Sequence, residues 1–154
     1  MLTSLKVART LIVAAVVLTG LRQTAQAQQF GVRAGASGGP EQFYFGVHAD
    51  AGPIADRLRF RPNLELGVGD DSTLTAVNLE FVYPVQLDKS RDWSVYPGVG
   101  PAFNIVNRNS NTDLRGGLNF ILGLAHRDGF FTELKVGALD SPDVKFGVGY
   151  TFRP

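Results

Sequence analysis

His48 and Asp50 stand two residues apart. With a serine hydroxyl they could supply the base and orienting carboxylate of an acyl-transfer triad. The chain has no G-x-S-x-G motif, and spacing sets no serine against them, so interior hydrogen bonding is the favoured role for both. His126, followed by Arg127 and Asp128, reads as a turn residue at a strand end. Arg57, Arg59 and Arg61 share one parity and form a basic stripe. Exposed beside aromatics, such a stripe would hold single-stranded nucleic acid; turned inward, it would line a pore or form salt bridges, and the alternation favours the inward reading. Gly98-Val99-Gly100 and Gly147-Val148-Gly149 resemble fragments of a phosphate loop, but they alternate within strand-like stretches and lead into no helix. Glu41, Asp70, Asp71, Asp113, Asp140 and Asp143 crowd the connections, against Arg108 alone. Carboxylates there could bridge divalent cations to phosphates, although solubilising turn residues are the simpler reading. No catalytic, cofactor-binding or metal-binding residue is assigned, and no enzyme activity is expected.

Composition narrows the field further. Cysteine is absent and histidine occurs twice, which excludes disulfides, thiolate metal sites and cysteine nucleophiles. The net charge of +1 gives no general attraction to nucleic acid. Glycine is 18 of 154 residues, well above the usual share of about 7%. The first 27 residues read as a secretory signal peptide: Lys6 and Arg9 precede the apolar run Leu11 to Leu18, and Ala25-Gln26-Ala27 forms a small-residue cleavage site. The run is too short for a spanning helix, which needs about 20 residues. Cleavage would leave Gln28 as the first residue of a single domain, 28–154. An exported, cysteine-free chain fits a bacterial envelope compartment.

After Ala27 the apolar residues recur at every second position, the period of a strand. The last segment shows it without a break: Val144, Phe146, Val148, Tyr150 and Phe152 on one face, Lys145, Gly147, Gly149, Thr151 and Arg153 on the other. The same alternation is read over 29–36, 42–51, 57–68, 73–85, 93–105, 114–126 and 129–138. Turn-forming clusters separate the eight segments, among them Ser37 to Pro40, Gly52-Pro53, Gly69 to Ser72, Asn107 to Asp113 and Asp140 to Asp143. Connections this short join antiparallel neighbours. The pattern predicts an all-β, eight-stranded antiparallel up-and-down barrel, closed so that no edge remains.

Three observations point the apolar face outward, toward lipid. An eight-stranded barrel has an interior only wide enough for side chains to fill, and the apolar face carries too much volume for it. The opposite face mixes glycine and alanine with charges of both signs: Arg33, Arg59, Arg61, Arg115, Lys135 and Lys145 against Asp50, Glu65, Glu80 and Glu133. Finally, Phe30, Tyr83, Trp93, Phe130, Tyr150 and Phe152 fall at one end of the barrel, all on the apolar face. That is a girdle of the kind found at a membrane interface; Phe43 and Phe103 make a weaker ring at the other end.

With its terminal strand Phe146-Gly147-Val148-Gly149-Tyr150-Thr151-Phe152, the chain resembles the outer-membrane β-barrel domain family, in particular the small eight-stranded barrels of the OmpA transmembrane-domain and OmpX type. The resemblance covers 28–154, as pattern more than as sequence. It implies a transmembrane barrel in the bacterial outer membrane. It also implies that the terminal strand is read by the outer-membrane insertion machinery, and that lipid and lipopolysaccharide are the surrounding partners. The expected role is structural, in envelope integrity or surface interaction, with a polar, plugged interior. A narrow channel for small solutes and a periplasmic lipocalin-like carrier are the alternatives. The resemblance names no ligand and no oligomeric state.

Two structural expectations follow. Arg59, Arg61 and Arg115 are expected to pair with Glu65, Glu80 and Glu133 and close the lumen. Pro62, Pro84, Pro97 and Pro101 fall inside strands, where each removes a ladder donor. Pro97 and Pro101 share a parity, so both missing donors face one neighbour, and that pairing should be the weakest seam. It is marked either by a bulge or by an opening.

Overall fold

The structure, a computed structural model, describes residues 28–153; the segment expected to be a signal peptide, 1–27, lies outside them. The described residues form ten strands: β1 (Gln29–Gly38), β2 (Gln42–Asp50), β3 (Pro53–Ala55), β4 (Leu58–Val68), β5 (Thr73–Val82), β6 (Val85–Gln86), β7 (Trp93–Arg108), β8 (Asn111–His126), β9 (Phe130–Leu139) and β10 (Val144–Phe152). Eight are long. Each pairs antiparallel with its neighbours in sequence, and β1 pairs with β10, so the sheet closes on itself. The two short strands prolong long ones. β3 carries β2 on against β4 after a register shift, and β6 carries β5 on against β7.

The barrel has two unlike rims. Both ends of the described chain lie at one, here the terminal rim, together with the turns at Asp56-Arg57, Asp88 to Asp92 and Arg127 to Gly129. The distal rim carries the connections after β1, β4, β7 and β9.

Alternation is obeyed, and it places the apolar residues outside. Phe120 is 51% exposed and its neighbour Asn119 is 2% exposed. The six aromatics Phe30, Tyr83, Trp93, Phe130, Tyr150 and Phe152 all lie on the outer surface at the terminal rim. Phe30 is opposite Phe152, and Tyr150 is opposite Phe130. This outward apolar face removes the lipocalin-like alternative, which needs an apolar interior.

Two connections differ from the sequence reading. Asn107 to Asp113 is not a loop, because β7 and β8 run on to a two-residue turn at Asn109-Ser110. Both turn residues have positive φ (45° and 70°), the conformation whose twist matches that of paired strands. Nor does the chain turn at Gly52-Pro53; it turns at Asp56-Arg57, where Asp56 has φ 49°.

The proline seam lies between β5 and β7. Pairing skips Leu79-Glu80 opposite Gly100-Pro101 and resumes at Phe81 opposite Val99. It lapses again around Pro84 and Pro97, where Tyr83 N–H still donates to the Pro97 carbonyl at 2.9 Å, and resumes at Val85 opposite Val95. The register is the same throughout, so neither proline marks a bulge. Each removes one donor toward β5.

Candidate functional site

The barrel interior holds the densest concentration of polar chemistry. Arg33 on β1, Arg61 and Glu65 on β4, Glu80 on β5, Glu133 and Lys135 on β9 and Lys145 on β10 all point inward, because each shares the parity opposite to the outward-facing apolar residues. Glu133 is the hub. Its carboxylate accepts from Arg33 Nη1 at 3.0 Å, Arg61 Nη2 at 2.6 Å and Tyr96 Oη at 2.9 Å. Lys135 Nζ donates to Glu65 at 3.0 Å and to Glu80 at 2.5 Å. Lys145 donates to the other Glu65 oxygen. Asn119, Asn78 and Asn63 continue the network as a chain of amide hydrogen bonds at 3.0 and 2.7 Å. Burying a charge is costly unless it is paired and hydrogen-bonded, and here every cation meets at least one carboxylate.

Aromatic rings flank the network on both sides, Tyr96 and Phe131 toward the terminal rim and Tyr44 toward the distal rim. The Arg61 guanidinium lies 4.9 Å from the Tyr96 ring centre and 5.3 Å from that of Phe131, and Lys145 lies 4.4 Å from the Tyr44 ring centre. The inward glycines make this possible. A side chain at Gly123 would occupy the space of the Tyr96 ring, and one at Gly147 the space of the Tyr44 hydroxyl. The high glycine content is therefore partly the complement of these rings. Beyond Tyr96 and Phe131, a half-open vestibule of about 240 Å³ opens at the terminal rim, lined among others by Asp50, Arg59, Arg61, Gln86, Ser94 and Arg153.

The expected pairs are partly realised. Arg61 does meet Glu133. Arg59 instead binds Asp50, with Nε 2.9 Å from both carboxylate oxygens, because its place near the terminal end of β4 leaves it in the vestibule, short of the glutamates. Arg115 is not in the lumen. It pairs with Asp113 at 3.5 Å, and both side chains are about half exposed or more, since this part of β8 has run past the barrel wall. Arg57 sits in the turn after β3, which breaks up the basic stripe. The inward cations that the pairing scheme left out are Arg33, Lys135 and Lys145. Their parity was legible; their reach across the lumen was not. The inner face also carries the apolar residues Leu74, Val82, Tyr96, Ile121 and Phe131, each on the polar-face parity.

The candidate histidines have structural partners. His48 Nε2 lies 3.0 Å from Thr151 Oγ1, whereas Asp50 bonds Arg59 and the Gly52 N–H, so the two do not form a dyad. His126 packs edge-on against Trp93 and lies 3.2 Å from Asp128. The two Gly-Val-Gly stretches are strand interiors. The connection acids gather toward the distal rim, and among the described residues no group of three or more could hold a metal ion.

No family model and no curated protein matches the chain. Solved structures do. The N-terminal β-barrel domain of Pseudomonas aeruginosa OprF superposes with a TM-score of 0.57 at 15% identity, covering 82% of this chain and all of that one. The chain has the fold of the OmpA-like outer-membrane barrels. Neisserial surface protein A (NspA) superposes with the same TM-score at 12% identity, over 82% of this chain and 96% of its own. Such low identity makes these likenesses of architecture, and the function must be argued from this chain's own surfaces.

Proposed function

We propose that this chain is a small bacterial outer-membrane barrel with a structural or surface-interaction role, exported by its signal peptide and closed to solute flow. The outward apolar surface with its aromatic rim supports the membrane setting, since a closed barrel satisfies its backbone groups internally and can present apolar side chains to lipid. Lipid and lipopolysaccharide would surround it, and its terminal strand would engage the insertion machinery. The observation that carries the closed reading is the Glu133 hub: Arg33, Glu65, Glu80, Glu133, Lys135 and Lys145 are each no more than 3% exposed and cross the lumen in one connected layer. The vestibule ends against it. No catalytic step is assigned to any residue.

Envelope fractionation tests the setting, with the protein expected among outer-membrane proteins. Planar-bilayer recording tests the closed lumen. Negligible conductance is expected, and steady, well-defined channels from the purified protein would replace this reading with that of a narrow pore.

A further inference from the structure

β7 and β8 are the longest strands; β7 stays paired with β5 as far as Asn107, but β8 outruns β9. β8 pairs with β9 only as far as Gly117 opposite Leu139, yet it pairs with β7 all the way to Asn111 opposite Arg108. Residues 111–116 therefore form the outer strand of a projecting ribbon, with β7 on one side and, among the described residues, no strand on the other. The direction of that edge is fixed by hydrogen bonds elsewhere in the same ladder. Arg127 N–H donates to Asp92 and Tyr83 N–H to Pro97, so even-numbered residues of β7 face β8. In turn, odd-numbered residues of β8 face β7, and Thr112, Leu114 and Gly116 direct their N–H and C=O groups outward. A row of unpaired backbone groups like this is a template for another strand.

We propose that this edge pairs with the same edge of a second copy, antiparallel and centred on Leu114. About that centre Leu114 meets the partner's Leu114, Thr112 meets the partner's Gly116, and Asp113 meets the partner's Arg115. The first two are the positions whose backbone groups point outward, so each exchanges a pair of hydrogen bonds. Asp113 and Arg115 fall at the intervening position, where side chains across an antiparallel pair come closest, and they are of opposite charge. Sliding the register by two residues either way opposes Asp113 to the partner's Asp113 or to the partner's Gly117 and loses the match. Leu114 is 75% exposed and would be covered, and open space surrounds Gly116. A parallel pairing staggers the two strands by one residue and so cannot be closed by a two-fold axis.

The antiparallel sense sets what such a dimer does. Two barrels joined in this way point in opposite directions. Resting on the membrane setting proposed above, the pair would link two apposed membranes rather than two neighbours in one.

The test uses the refolded full barrel. In detergent, a concentration-dependent dimer is expected. Paired residues of this kind have Cα atoms about 5.5 Å apart, within disulfide range, so Leu114→Cys should give an oxidised dimer in a chain with no other cysteine. Asp113→Arg should leave monomers, and Asp113→Arg with Arg115→Asp should restore the dimer. A wild-type protein that is monomeric at every concentration, or an undiminished dimer of the single variant, would overturn the pairing. In phospholipid vesicles that float with inserted protein, wild type should cluster and Asp113→Arg should not. Failure to insert would count against the membrane setting alone; insertion without clustering, from a protein dimeric in detergent, would overturn the bridging role.

Discussion

Arg61 and Arg115 have the same parity and the same alternating surroundings in sequence, but they end in opposite environments. Arg61 meets Glu133 at 2.6 Å with both side chains almost wholly buried, whereas Arg115 meets Asp113 at 3.5 Å with both well exposed. The difference is not in the residues. Around Arg61 the sheet is closed and the pair is almost wholly buried; around Arg115 only one neighbouring strand remains. A buried ion pair is weak evidence of net stabilisation, but removing one partner strands a charge in a dry interior. An exposed pair contributes little and is screened.

The largest expected effect tests the buried side. Glu133→Ala would leave Arg33, Arg61 and Tyr96 without their shared acceptor and should cost about 3–5 kcal/mol. Urea unfolding in vesicles, followed by the single tryptophan, Trp93, measures it. A loss no greater than that of Arg115→Ala would collapse the distinction between the two regions.

Next in size is the boundary between lumen and lipid. Phe120→Arg should cost roughly 2–4 kcal/mol if it faces the bilayer. A spin label carried by Phe120→Cys should be reached by a lipid-soluble quencher, and one carried by Asn119→Cys should not. Equal quenching at both would mean that the inside-outside assignment of β8 is wrong.

A pair of glycines sharpens the comparison further. Gly123→Ala sets a methyl group into the Tyr96 ring and should destabilise the barrel by about 1–3 kcal/mol, the usual cost of overpacking. Gly116→Ala, in open space on the projecting ribbon, should stay within about 0.5 kcal/mol of wild type. Comparable losses in the two urea curves would show that the ribbon is packed rather than free.

The smallest effect is expected from the exposed pair itself. Arg115→Ala should change unfolding by under about 1 kcal/mol, and that difference should fade as salt rises, since exposed charges are screened. A deficit as large and salt-resistant as that of Glu133→Ala would place Arg115 in the lumen after all.

Alternation and the turn clusters were enough to determine the eight long strands, their antiparallel order and the outward apolar face, because a period of two leaves a strand only two faces and most of the large apolar residues fall on one of them. The rim aromatics and the proline seam followed from the same parity. Tertiary structure alone decided where each strand stops relative to its neighbours. Parity says which way Arg115 and Arg59 point. It does not say that β8 has outrun β9, or that Arg59 lies a vestibule's depth from Glu133. Nor could it choose partners for Arg33, Lys135 and Lys145, which cross the lumen to residues 32 to 100 positions away. Those contacts depend on closure and stagger, and both are properties of the whole sheet rather than of any one strand.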